Sequence, residues 1–186
     1  LEDAWAALAA RRPSLTEMWR RFAAPPVRHA GTLGGNVANG SPIGDGPPVL
    51  MALDARVVLR RGARRRVLPL DRFYLAYQRS RLEAGEFLEA MWVPDGLAGT
   101  LRAWKSSKRF DCDISAVSAG LRLDLDGAGR VRDLRLAFGG LAGTVARAAR
   151  TEQVLRGAAW TEASLRAAEA ALGEDFRPLD DLRASA

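Results

Sequence analysis

Lysine is almost missing from this chain. Of 28 basic residues, only Lys105 and Lys108 are lysines, and the other 26 are arginines. Cysteine and histidine occur once each, as Cys112 and His29. A single cysteine excludes an internal disulfide and any cysteine-only metal or iron–sulfur site within this stretch. One histidine leaves little for a metal cluster, and no nucleophile elbow surrounds it. His29 reads as loop packing. No apolar run approaches the roughly 18 residues of a membrane span. Glu2 and Asp3 come early, without the positive–apolar–small order of a secretory leader. The sequence does not start with Met, so it reads as an internal piece of a longer chain. These absences predict a cytoplasmic, metal-free segment with no membrane contact.

What is present is a foldable chain. Its 186 residues suit one ordinary domain or two small ones, and 48% of them are hydrophobic. The formal charge of +6 raises the question of nucleic acid. The densest basic stretch, Arg60 to Arg66, lies between Val57-Val58-Leu59 and Val67-Leu68 and reads as the charged tip of a hairpin. No aromatic residues interleave with it, so nucleic-acid binding is disfavoured.

Residues 2–23 carry apolar residues at helical spacing, interrupted by Pro13, with Ser14 and Glu17 as a capping-box pair. Two helices are expected there. From Val27 to Ser41 there is little helix signal and much glycine. A short apolar helix over Val49–Leu53 follows. Strands are expected at 56–60, 65–69, 87–93, 100–108, 115–124 and 131–137, with a short helix over Leu70–Tyr77. Asp126-Gly127 signals a tight turn. Helices close the chain at Arg150–Leu155 and Glu162–Leu172, the last opened by Thr161 as N-cap. The order is an α+β pattern, with a boundary near Pro94–Gly99 dividing the chain into units 1–97 and 98–186.

The run from Gly31 to Gly46 is the most informative stretch. Glycines permit close backbone approach and positive φ, and successive free N–H groups form an anion nest. Thr32, Asn36, Asn39 and Ser41 add short neutral donors. The stretch is neither G-x-G-x-x-G after a strand nor a P-loop, so the two familiar nucleotide folds are disfavoured. A ligand-binding loop and a plain tight loop both fit the residues.

Thr32-Leu33-Gly34-Gly35-Asn36-Val37-Ala38-Asn39-Gly40-Ser41-Pro42-Ile43-Gly44-Asp45-Gly46-Pro47-Pro48-Val49-Leu50 resembles the second FAD-binding loop of the molybdenum hydroxylase flavoproteins. Within them the wording is most similar to the small, iron–sulfur and FAD subunit of the bacterial xanthine dehydrogenase branch. Leu70-Asp71-Arg72-Phe73-Tyr74, Lys105-Ser106-Ser107-Lys108-Arg109-Phe110-Asp111, Asp113-Ile114-Ser115-Ala116-Val117, Ala137-Phe138-Gly139-Gly140-Leu141-Ala142 and the closing run from Pro178 to Ser185 extend it. The resemblance implies the second half of a vanillyl-alcohol-oxidase-type FAD-binding domain, followed by a C-terminal antiparallel sheet with helices. It implies FAD as cofactor, lined by Thr32, Gly34, Gly35, Asn36, Asn39, Ser41 and Asp45. It places Leu88 against the flavin ring and Lys105 near the isoalloxazine edge. Residues 106–115 would form a mobile loop controlling access to it.

By the same resemblance, iron–sulfur domains and a molybdopterin-binding large subunit are the partners. Electrons from purine hydroxylation would pass through FAD to NAD. The alternatives are a carbon monoxide, aldehyde or aromatic acyl-CoA enzyme of the same superfamily, or an isolated piece that holds no FAD.

Overall fold

The computed structural model describes residues 1–178 together with Asp180 and Ala184. Most of the closing Pro178–Ser185 motif therefore lies outside the described residues. Helix α1 (Glu2–Arg11) ends before Pro13, and a 3₁₀ turn (Pro13–Leu15) leads into α2 (Thr16–Arg21). The Ser14–Glu17 capping box does not form. The 3₁₀ turn places Leu15 at the start of α2, with no side-chain cap. Packing sets this corner instead: Trp5, Leu15, Met18 and Phe22 are buried against Val49, Leu53 and Leu101.

The expected glycine loop is largely helical. Helix α3 (Pro25–Ala30) and helix α4 (Leu33–Ala38) occupy it. His29 accordingly sits, exposed, near the end of α3 rather than packed in a loop. Two glycines inside α4 cost about 1 kcal/mol each against alanine. Three contacts offset that cost. Thr32 caps the helix by accepting the Gly35 N–H at 2.9 Å. Val37 is fully buried. The Tyr74 hydroxyl donates to the Val37 carbonyl at 2.8 Å. The backbone N–H groups that an open nest would offer are mostly spent inside this helix and the following turns.

Helix α5 (Gly46–Ala52) is buried along its whole length and is the hub of the molecule. A three-stranded antiparallel sheet has the order β2 (Arg64–Pro69), β1 (Arg56–Arg61), β5 (Phe87–Trp92). A 3₁₀ turn (Leu70–Arg72) and a small hairpin, β3 (Tyr74–Ala76) with β4 (Arg79–Ser80), replace the helix expected over Leu70–Tyr77. The second main sheet has the order β6 (Thr100–Ser106), β7 (Val117–Leu125), β8 (Val131–Gly139), β9 (Ala146–Arg147). Helix α5 packs on β7 and β8. The β7–β8 turn centres on Asp126, whose carboxylate accepts from the N–H groups of Ala128 and Arg130. Helices α6 (Ala149–Leu155) and α7 (Glu162–Asp175) close the chain, and Thr161 caps α7 in a capping box with Ser164.

The basic hairpin forms as expected, with Arg61 opposite Arg64 and only Gly62-Ala63 between them. Its guanidiniums are matched by carboxylates. Arg60 and Arg65 reach Glu89, Arg64 reaches Glu83, and Arg66 reaches Glu86. The hydrogen bond from Arg66 holds the Glu86 carboxyl down to about 2, from an ordinary 4.5. A folded value below the unfolded one contributes stability above the unfolded value, and that stability is lost as pH falls from about 4.5 to about 2. Glu86→Gln should therefore lose less stability than the wild type when urea melts at pH about 5 and about 3 are compared. Equal losses would show that this pair does not drive the acid response.

Candidate functional site

The N-terminal end of α5 meets the end of β6 across a cleft of about 460 Å³. The turn between α4 and α5 forms one wall, and the 106–116 loop forms another. Five of the residues singled out from the sequence meet there: Asn36, Asn39, Ser41, Asp45 and Lys105. Phe22, Ile43 and Ile114 supply apolar lining. Amide and hydroxyl donors beside apolar carbon suit a ligand with both polar and ring-like parts.

The floor is a buried charge pair. Lys105 Nζ donates to Asp45 Oδ2 at 2.7 Å, with the lysine side chain 1% and the aspartate 8% exposed. The Ser115 hydroxyl donates to the other carboxylate oxygen, Asp45 Oδ1. Asp45 also sits at the start of α5, where an anion is favoured by the helix dipole. The sequence suggested Asp45 and Lys105 as separate ligand contacts; in the structure each is the other's partner. Ser115 lay inside a quoted motif without a role. Only the fold brings it across 70 residues to Asp45.

Two structural features hold the cleft walls in register. The Gly140 N–H donates to the Pro42 carbonyl at 2.8 Å, pinning the 41–45 turn to the end of β8. Gly140 has φ +94 and a Cβ there would strike the Ala116 carbonyl, so this corner needs glycine. The 106–116 loop is closed at its base by the Ala116 N–H on the Ser106 carbonyl at 2.9 Å. Arg21 ties its tip down, donating to the Phe110 carbonyl at 3.1 Å with its guanidinium 4.2 Å from the Phe110 ring. Inside the loop, the backbone N–H groups of Arg109 and Ile114 hold the Asp113 carboxyl below its ordinary value. Cys112 is exposed there, with φ +51.

Thr32, Gly34, Gly35 and Leu88 lie apart from this cleft. Gly34 faces Leu88, whose side chain lies 3.5 Å from the position a Gly34 Cβ would take. The Asn36 Oδ1 is buried against Gly46 of α5, with no hydrogen-bond partner among the described residues. Among the described residues no group of three His, Cys, Asp or Glu side chains could hold a metal ion. No helix among them is long and apolar enough to cross a membrane.

Comparison with known proteins agrees with this geometry. Residues 1–96 match the family model described as the FAD binding domain in molybdopterin dehydrogenase. Residues 102–186 match the CO dehydrogenase flavoprotein C-terminal domain. The chain is 34% identical over 163 residues to nicotinate hydroxylase of Emericella nidulans, covering 84% of this chain and 12% of that protein. It is 33% identical over 177 residues to the carbon monoxide dehydrogenase medium chain of Hydrogenophaga pseudoflava, covering 95% of this chain and 61% of the relative. A solved structure of carbon monoxide dehydrogenase from the same organism superposes with a TM-score of 0.87 at 32% identity, over 96% of this chain and 62% of that one. The chain thus spans between 12% and 62% of the length of these relatives.

Proposed function

The chain belongs to the family of FAD-binding domains of molybdopterin dehydrogenases, and from that premise we propose that it is the flavin-carrying part of a molybdenum hydroxylase. Complete enzymes of this family carry FAD, iron–sulfur clusters and molybdopterin. The observation that carries the reading is the meeting of Asn36, Asn39, Ser41, Asp45 and Lys105 around one cleft. FAD, when bound, supplies hydride and single-electron chemistry.

The residues' own tasks follow from their chemistry. Asn36, Asn39 and Ser41 are neutral donors and acceptors suited to hydroxyls and phosphate oxygens. Lys105 brings a positive charge to the cleft floor, and Asp45 fixes its position. Ser115 orients the Asp45 carboxylate. Thr32 keeps the first turn of α4 in place, and Gly34 and Gly35 leave a surface without side chains beside Leu88.

The finer reading is a xanthine dehydrogenase-like enzyme that hydroxylates purines and passes electrons to NAD, with partners carrying the iron–sulfur and molybdopterin groups. The loop wording and the 32% identity to xanthine dehydrogenase of Emericella nidulans support it. The likeness to the carbon monoxide dehydrogenase flavoprotein, over most of this chain, supports a second reading with that substrate. Assays of the complete enzyme on hypoxanthine, aldehydes and carbon monoxide separate the two.

FAD binding is testable on its own. Titration into the complete subunit should quench flavin fluorescence, and Asn36→Ala should weaken binding about tenfold, the value of one well-placed hydrogen bond. A complete subunit without a flavin spectrum would sink the proposal. The 186-residue chain alone should bind far more weakly than the complete subunit, because it is expected to hold only part of the site.

A further inference from the structure

A second cleft, of about 450 Å³, opens at the opposite end of α5. It is lined by four arginines, Arg56, Arg72, Arg135 and Arg147, and by the carboxylates of Asp54 and Asp71. From this arrangement we infer a second ligand site, one that takes a phosphate-bearing small molecule and is separate from the flavin cleft. It does not rest on the flavin reading, since the two clefts share no lining residue.

The charges are unevenly matched. On the floor, Arg135 donates to Asp54 at 2.7 Å, and Arg147 reaches Asp71 at 3.1 Å as well as Glu152. Arg122, buried behind them, donates to Asp54 and to the Ala52 carbonyl. It thereby covers the negative end of α5, which would otherwise repel an anion. Arg56 and Arg72 are different. Neither guanidinium has a carboxylate partner among the described residues. Two rim forks are therefore free, beside floor forks held rigidly by their own partners. Planar guanidiniums bind phosphate oxygens in pairs, and a fixed fork loses little freedom in doing so.

The contrast with the basic hairpin is informative. Arg60, Arg64, Arg65 and Arg66 are more numerous, but each already meets a glutamate on an open surface. The second cleft is concave, and two of its four arginines lack a carboxylate, while the floor pair is held by Asp54, Asp133, Asp71 and Glu152. Its wall also carries an aromatic face. Trp92 is 52% exposed, with the Arg56 guanidinium 5.5 Å from its ring. A nucleoside ring could stack there while its phosphate meets the arginines.

The test is calorimetric titration of the complete subunit, with its flavin in place, at low salt with inorganic pyrophosphate, AMP and adenosine. Pyrophosphate and AMP should give saturable binding, and adenosine none. Arg56→Gln and Arg72→Gln should each weaken binding about tenfold, as loss of a charge-assisted hydrogen bond does. Asp71→Asn, which removes a negative charge from the lining, should tighten it, a change that a merely structural role would not produce. Arg64→Gln, on the hairpin, should leave it unchanged. Tighter binding of AMP than pyrophosphate identifies a nucleotide site, and equal binding identifies a phosphate site. The inference is overturned if neither anion saturates, if adenosine binds as well as AMP, or if Arg64→Gln weakens binding as much as Arg72→Gln.

Discussion

Gly120→Ala should lower the melting temperature by about 10 °C. Gly120 lies on β7 directly under α5. A Cβ at this position would overlap the Pro48 carbonyl and lie 2.7 Å from Val49 Cα. These are backbone atoms of a fully buried helix, so no flexible side chain can swing away. Either α5 lifts off the sheet or β7 bends. Overpacking of this kind costs about 3 kcal/mol, and at this chain length each kcal/mol shifts the melting temperature by roughly 2–4 °C. The consequence extends to function, because Asp45 starts α5 and Lys105 stands on β6, opposite Ser118 of β7. Displacing the helix separates the ion pair and reshapes the cleft above it. A thermal melt followed by circular dichroism decides the matter: a shift under about 2 °C would mean that the helix–sheet contact yields easily.

The second large effect concerns that pair. Asp45→Leu or Lys105→Met alone should destabilise the fold by about 3–5 kcal/mol, because each leaves a buried charge without its partner. Replacing both together, as Asp45→Leu with Lys105→Met, should recover most of the loss, since two apolar side chains do not need water or a counter-charge. Urea denaturation of the four proteins closes the double-mutant cycle. Additive losses would show that the two residues act independently and that the contact contributes little. Lys105→Arg keeps the charge but exchanges a compact ammonium, buried against Asp45, for a bulky planar fork. In the complete enzyme it should disturb flavin reduction more than any single change among Arg60–Arg66, most of whose side chains meet glutamates of β5 and the turn before it. A hairpin change with the larger effect would break the link between Lys105 and the flavin.

Much of this was legible in the residues. The scarcity of lysine pointed to Lys105 before any geometry was known, and the structure finds it the more deeply buried partner of a charge pair. Helical spacing and the Pro13 break read correctly as separate helices at the N-terminus, and alternating apolar residues marked the main strands. These are local signals, set by periodicity and by residues that stop an element. The failures were local signals overruled from a distance. Glycine-rich 33–38 reads as loop because glycine is a poor helix former, yet Tyr74 and Leu88 hold it as α4. Ser14 and Glu17 spell a capping box, yet burial of Leu15 and Met18 chose a 3₁₀ turn there.

The sequence by itself determined the α+β class, the excess of arginine over every other cation, and the run of glycines and short polar residues between Gly31 and Gly46. Composition and spacing suffice for these, because they depend on neighbours along the chain. Only the tertiary structure decided that Asp45 and Lys105 neutralise each other, with Ser115 as third member, since 60 and 70 residues separate those partners. It alone gathered Asn36, Asn39, Ser41, Asp45 and Lys105 around one cleft and left Thr32, Gly34, Gly35 and Leu88 out of it. It alone distinguished Arg60, Arg64, Arg65 and Arg66, which are matched by glutamates, from Arg56 and Arg72, which are not. A charge is identified by its residue type, but whether it is spent depends on what the fold places beside it.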